Sequence, residues 1–359
     1  MKAQILEASK IVLITFIFSV LIMFLMQKIA NHIGALDVPR TEEGHRHIHK
    51  QITPKLGALG IFLAFLLGYM LFGEQSIRMN SILIGSFIII LTGLIDDIRP
   101  IRASYKLLGH LAAAMVIVFY GKILLTNITA FGFAFDFGIL AYPITLLFII
   151  ACTNIINLID GLDGLSGGIC TIFFITIAII GFYQGRAGSL VMILTLIMLG
   201  STLGFLVHNF YPAKIFAGDC VTFLGFIIAI ITLLEFKGPA LISFFVPVTI
   251  LGIPILDTLF AIIRRLLKGQ PPFKADKEHL HHQLLGMNFS QRTTVLIIYG
   301  INILFAAASI FYTLKDPIIG QILYIIIFII VIWFVLHTTI IYDKSNIDKT
   351  KWKKLFHKK

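Results

Sequence analysis

Apolar segments of about 18–25 residues recur along the whole chain, and each is long enough to cross a bilayer core of about 30 Å as a helix. About eleven can be counted. They fall near 9–29, 56–73, 80–96, 106–126, 137–157, 166–184, 188–208, 219–236, 239–262, 293–314 and 318–342. Runs such as FLLGYMLF and LYIIIFIIVIWFVL do not alternate between apolar and polar residues, so the other spanning architecture, a β-barrel, is excluded. A mean hydropathy of +0.96 with 13% charged residues rules out an ordinary soluble domain and a disordered chain alike. The sequence therefore predicts an all-α polytopic integral membrane protein. No internal repeat and no linker rich in Pro, Gly or Ser divides it. Residues 1–359 read as one membrane-embedded domain with a basic tail at 343–359.

The net charge of +11 would suggest nucleic acid in a soluble protein. In a membrane protein the first question is where the charges lie. With the amino terminus outside, the loops at 30–55, 97–106, 157–165, 209–218 and 263–292 and the carboxyl-terminal tail face the cytoplasm. Those segments hold about 21 of the 29 Lys and Arg residues, against about 7 outside, with Lys28 at a boundary. The expected topology is amino terminus outside, carboxyl terminus cytoplasmic. The tail KTKWKKLFHKK is expected on anionic headgroups, with the lipid bilayer and no nucleic acid as its partner. Cys152, Cys170 and Cys220 suit neither a disulfide framework nor a zinc site and read as small buried side chains. The first apolar segment lacks a small-residue cleavage pattern and reads as a retained helix.

Five polar clusters interrupt the apolar segments, and this topology sends all of them to the cytoplasmic side. They are RHIHKQITPKLGALG (Arg46 to Gly60), GLIDDIRP with Asp96 and Asp97, NIINLIDGLDGLSGG (Asn154 to Gly168), KIFAGD ending at Asp219, and IIRRLLKGQPPFKADKEHLHHQLL. Outer-loop charges such as Glu74, Arg78, Lys122 and Arg186 are scattered singly. One-sided clustering is what a single cytoplasmic active site would produce.

Each cluster has a bland reading beside its functional one. Asp96 and Asp97 are either a polar helix terminus compensated by Arg99 and Arg102, or a base with a partner acid that orients a cation or a lysine such as Lys106. Asn154, Asn157 and Asp160 follow i, i+3, i+6 on one helix face, and Asp163 comes in a Gly-rich turn; the alternative is an interhelical asparagine seam. An EF-hand loop is excluded, because the ligand spacing and closing Glu are missing. Asp219 either favours a helix amino terminus or ligates Mg²⁺, an ion usually held by one or two carboxylates with water and phosphate. In the last cluster Arg265 suits a bidentate phosphate contact, and His279, His281 and His282 suit phosphate binding or proton donation better than zinc. Carboxylates, a magnesium site and a basic loop on one face suggest phosphoryl transfer. No GxxxxGK[ST] loop is present, so P-loop nucleotide hydrolysis is not expected.

GLIDD, NxxNxxDGxDGL, FxGD and RRxxxGxxPFxxDxxHLHHxL resemble the motifs of the polyprenyl-phosphate N-acetylhexosamine-1-phosphate transferases, in that family's order, from about Asp37 to Leu285. The resemblance implies a helical bundle with a cytoplasmic cleft in a bacterial inner membrane. The reaction it implies moves a sugar-1-phosphate from a UDP-N-acetylhexosamine to undecaprenyl phosphate with Mg²⁺ (Mn²⁺ as a substitute), releasing UMP. HLHH resembles the branch that uses UDP-N-acetylglucosamine and begins teichoic acid, O-antigen or related polymers. The phospho-N-acetylmuramoyl-pentapeptide branch is the alternative. Position by position, Asp219 matches the Mg²⁺ ligand and Phe216 an aromatic that stacks on uracil. Asp96 and Asp97 match the pair near the lipid phosphate, with Lys106 beside them. Asn157, Asp160 and Asp163 match residues lining the nucleotide site, and Asn154, in the same motif, is a further substrate-binding candidate. Arg265, His279, His281 and His282 match the loop contacting donor sugar and diphosphate, and His49 a histidine before the second helix. The resemblance allows a homodimer.

The chain departs from the family pattern in places. Cys220, Val221 and Thr222 stand where Ser or Thr, Gly and Ser are usual, Gly57–Ala58 replaces a Gly pair, and His47 and His110 replace a Lys and a Gln. From another class, a transporter would use Asp96, Asp97, Asp160 and Asp163 as a relay near the bilayer midplane with repeated, broken helices. The acids here are expected at helix ends, and no repeat is visible.

Overall fold

The computed structural model describes residues 2–38, 52–130, 133–235, 262, 284–287, 289–315 and 317–337. Among them lie ten α-helices of 13 residues or more. They are α1 (Lys2–Ile33), α2 (Gly57–Phe72), α3 (Ile77–Ile98), α4 (Ala103–Met115, continued by a π turn at Val116–Tyr120) and α5 (Ala141–Ile159). The others are α6 (Leu165–Tyr183), α7 (Leu190–Asn209), α8 (Thr222–Glu235), α9 (Gln291–Leu314) and α10 (Pro317–His337). Each coincides with one expected apolar segment; the remaining segment, 239–262, lies outside the described residues except for its last position. Seven of the helical stretches are long and apolar enough to cross a membrane, while α2 and α10 contribute shorter apolar helices. The chain is thus a mainly helical, polytopic membrane protein.

Local signals set the helix starts. Ser76, Ser189 and Ser290 each accept a hydrogen bond from the backbone N–H three residues on, at 3.1–3.2 Å, capping α3, α7 and α9. Within the helices Thr15, Thr145, Thr153, Thr171 and Ser201 return their hydroxyls to the carbonyl four residues back, so these five hydroxyls do not face an apolar neighbour unpaired.

Helix α8 lies at the centre: every residue from Thr222 to Leu233 is buried. A helix apolar on all sides suits such a place. Helices α6 and α7 are also largely buried, whereas α1 and α4 are peripheral. Outward faces carry Leu6, Leu13 and Leu21 on α1 and Ile325, Ile329 and Trp333 on α10, as lipid-facing helices require. Helix α1 packs most intimately on α7. There Gly200 and Gly204 open a groove, and a Cβ at Gly204 would come within 2.5 Å of Ser19 Cβ and 2.7 Å of the Phe16 carbonyl. Ser19 fills it and donates to the Ser201 carbonyl at 2.6 Å.

Successive helices run up and down. One end of the bundle therefore collects the carboxyl ends of α1, α3, α5 and α7 and the amino ends of α2, α4, α6 and α8. A two-residue ribbon lies there, β1 (Leu36–Asp37) antiparallel to β2 (Thr53–Pro54), with Leu36 opposite Pro54. At the other end the α4–α5 connection forms a hairpin of β3 (Asn127–Ala130) and β4 (Phe133–Asp136). Part of that connection falls in segments expected as helix, 106–126 and 137–157.

Candidate active site

The polar clusters of the first-named end converge because each lies where a helix stops. The segment after α7 runs back beside β2: Phe216 N–H donates to the Pro54 carbonyl at 2.8 Å, and the Phe216 and Ala217 carbonyls accept from Gly57 and Ala58 N–H at 2.9 and 3.1 Å. Two of the amino-terminal N–H groups of α2 are satisfied in this way, and the position of Phe216 is fixed through its own peptide. The next residue, Gly218, has φ +74°, and a Cβ there would lie 2.6 Å from Asp97 Oδ2. Only glycine lets the chain pass this point.

Beyond it, Asp97 at the carboxyl end of α3 accepts the Asp219 N–H at 2.8 Å and the Cys220 N–H at 3.4 Å. An acid at a helix carboxyl end opposes the dipole, but here it caps the start of the next helical segment, where negative charge is favoured. Asp96 takes a different set of partners: the Ile101 N–H at 2.8 Å and the Lys106 ammonium. Lys106 also reaches Asp219 Oδ1 at 2.9 Å. The compensation expected from Arg99 and Arg102 comes instead from Lys106 and backbone N–H groups, and both arginines are exposed.

These elements enclose a cavity of about 290 Å³. Asp97, Asp160, Asp163 and Asp219 line it together with Asn157 and Phe216. So do Asp37, Lys55 and Asn209, which sequence reasoning did not single out. Lys55 pairs with Asp37 across the β1–β2 ribbon at 3.1 Å. Asn209 is buried, accepts the Gly164 N–H and donates to the Ile215 carbonyl, both at 2.9 Å. The available signals were an amide at the end of an apolar helix and a lysine inside the first polar cluster. Asp163 is buried and accepts the Ala213 N–H at 2.9 Å, and Asp160 accepts from the Ser166 hydroxyl at 2.5 Å.

Three expected site residues stand off the cavity wall. Asp96 and Lys106 sit behind it as an ion pair. Asn154 bonds to the Ile150 carbonyl at 2.7 Å and approaches His110 Nδ1 at 3.4 Å, joining α5 to α4. Two helical steps of three rotate it by about 120° from Asp160 and set it about 9 Å deeper. His49, Arg265, His279, His281 and His282 lie outside the described residues.

The electrostatics are one-sided: five carboxylates and one ammonium face the cavity. Burial, with the negative charges of Asp219 and Asp163 adding to it, pushes the Asp160 carboxyl up to about 6 against the Ser166 hydrogen bond. Such a donor set suits a hard cation. Among the described residues no three acidic, His or Cys side chains close on one point. The acids lie at helix ends, unlike the midplane relay of a transporter.

Residues 79–235 match the family described as Glycosyl transferase family 4. The chain is 41% identical over 328 residues, 89% of each sequence, to a Bacillus subtilis protein named probable undecaprenyl-phosphate N-acetylglucosaminyl 1-phosphate transferase. It is 32% identical to the decaprenyl-phosphate N-acetylglucosaminephosphotransferase of Mycobacterium tuberculosis, over 81% of this chain and 80% of that one. With the undecaprenyl-phosphate alpha-N-acetylglucosaminyl 1-phosphate transferase of Escherichia coli K12 it shares 27% identity, over 79% and 78% of the two chains. The motifs at the acidic end and the similarity along the chain agree: the protein belongs to glycosyl transferase family 4, among its polyprenyl-phosphate N-acetylhexosamine-1-phosphate transferases.

Proposed function

We propose that the protein transfers N-acetylglucosamine-1-phosphate from UDP-N-acetylglucosamine to undecaprenyl phosphate at the cytoplasmic face of a bacterial inner membrane, releasing UMP. This would be the first membrane step of a cell-envelope polysaccharide or teichoic acid. The observation that carries the reading is the cavity itself: Asp97, Asp160, Asp163, Asp219 and Phe216 meet at one end of the bundle. The three relatives carry N-acetylglucosamine in their names, which favours this donor over a muramoyl-pentapeptide.

In the reaction an oxygen of the lipid phosphate attacks the β-phosphorus of the donor. A new P–O bond forms, the bond from that phosphorus to the bridging oxygen breaks, and UMP leaves with the electron pair. Of the two adjacent acids, Asp97 faces the cavity and is the candidate to take the proton of the lipid phosphate; its two backbone hydrogen bonds fix its orientation. Asp96 instead holds Lys106 against Asp219. Phe216 offers the uracil an aromatic face on a pinned backbone. Asp219, with the other cavity acids acting through water, would hold Mg²⁺, which when bound supplies positive charge against the diphosphate.

Purified protein with undecaprenyl phosphate, Mg²⁺ and a panel of UDP-sugars tests this. UMP release with UDP-N-acetylglucosamine, abolished by EDTA and by Asp219→Asn, is the expected result. No UMP with any donor would overturn the reading, and turnover only with the muramoyl-pentapeptide donor would move the enzyme to the other branch.

A further inference from the structure

The turn that carries Asp160 and Asp163 is held by contacts from several elements, and one of them comes from far along the chain. Gly164, at φ +80°, begins α6. Its N–H donates to Asn209 Oδ1 of α7 at 2.9 Å, and the neighbouring Asp163 accepts from Ala213 N–H at 2.9 Å. Its carbonyl accepts two hydrogen bonds: the first intrahelical one, from Gly168 N–H at 2.9 Å, and another from the hydroxyl of Tyr299 on α9. The helix alone therefore satisfies this carbonyl. The phenol is not needed to pair a stranded acceptor, so what it adds is position.

Shape supports the same conclusion. Gly168, one turn into α6, leaves the space in which the Tyr299 ring lies; a Cβ there would fall on the phenol. Helices α6 and α9 pack closely around this point. Tyr299 does not line the cavity, and it lies beyond the 79–235 region that matches the family.

We propose that Tyr299 is a positioning residue for the transfer reaction. Its hydroxyl fixes the Gly164 peptide and, through it, the direction in which Asp160 and Asp163 face the cavity. The proposal rests on the function proposed above.

The test compares Tyr299→Phe with Ser309→Ala. The latter breaks another hydroxyl pair made by α9, Ser309 to Tyr324 at 2.6 Å, away from the cavity. Three quantities are read for each variant: kcat and KM for UDP-N-acetylglucosamine, melting temperature, and amide hydrogen exchange of residues 160–165. For Tyr299→Phe, kcat/KM is expected to fall about tenfold, the typical loss when an outer partner of a site residue is removed. Exchange of the turn should rise, with a drop in melting temperature no larger than that of Ser309→Ala. The control should keep kcat/KM within about twofold of the parent. Tyr299→Phe with unchanged kcat/KM and exchange would overturn the proposal, as would losses in both variants that simply follow melting temperature. If Tyr299→Phe is not recovered folded, Gly168→Ala, which drives the ring off the carbonyl, is read against the same criteria. If the parent protein itself releases no UMP, the functional reading fails, and the exchange measurement alone still decides whether Tyr299 orders the turn.

Discussion

Asp96 and Asp97 are adjacent in sequence and do different work in the fold. Both were legible as a charged pair at a helix end, with one of them a partner for a lysine such as Lys106, but which of the two takes that part was not. It depends on Lys106 and on the turn that leads into α8, which are ten and more than a hundred residues away in the chain from Asp96 and Asp97 respectively. Asp96, Lys106 and Asp219 form one linked set, whereas Asp97 is held by backbone. Groups in one network couple by 0.5–3 kcal/mol, on the order of what double-mutant cycles resolve. Asp96→Asn and Lys106→Gln should therefore be strongly non-additive in kcat/KM, the double variant little worse than the poorer single. Asp97→Asn should cut kcat by about 10²–10⁴, the usual contribution of a proton-transfer group, and add to Lys106→Gln. Additive losses for Asp96 with Lys106 would remove the assignment. Asn154 shows the limit of face counting: three-residue spacing drifts around the helix, so its neighbour across α4 is His110 rather than the cavity.

At the scale of elements, the apolar segments marked the described helices well, since burial in lipid or in other helices demands long uncharged runs. Their ends were less legible. Helix α1 extends to Lys2 and Ile33, past the apolar stretch 9–29, because polar residues continue a helix once they reach its ends. The β3–β4 hairpin was missed, because hydropathy leaves residues 127–136 as a connection between two spans and does not say that it pairs with itself. Nor does hydropathy say which helices touch. That information sits in small residues, as at Gly200 and Gly204, where α1 approaches α7. Gly204→Leu places a side chain against Ser19 and the Phe16 backbone and should cost about 1–3 kcal/mol or more, as overpacking does. A lower melting temperature in detergent with unchanged UDP-N-acetylglucosamine KM for the folded fraction is the expected pattern. A variant as stable as the parent would show that α1 is not seated on α7 in this way.

For the molecule as a whole, the one-sided polar clusters were the most legible feature, and the fold gathers those within the described residues at one end of the bundle. The compartment that end is proposed to face, the cytoplasm, is argued from charge: Lys and Arg number about 21 on the side that holds the site against about 7 on the other. Labelling can decide it, because Cys152, Cys170 and Cys220 are all buried and give little background. A cysteine is placed singly at Glu74 or Gly188, in connections of the end opposite the cavity, or at Arg102 or Tyr211, exposed beside the cavity end. With intact spheroplasts and a membrane-impermeant maleimide, the first two should react at once. The second two should react only after the membrane is permeabilised. Such a result puts the acidic cavity on the side where nucleotide-sugar donors are made. The reverse pattern would overturn the cytoplasmic assignment while leaving the cavity and its acids where the fold puts them. An enzyme so oriented would have no access to a cytoplasmic UDP-sugar, and the donor, not the reaction class, would have to be reconsidered.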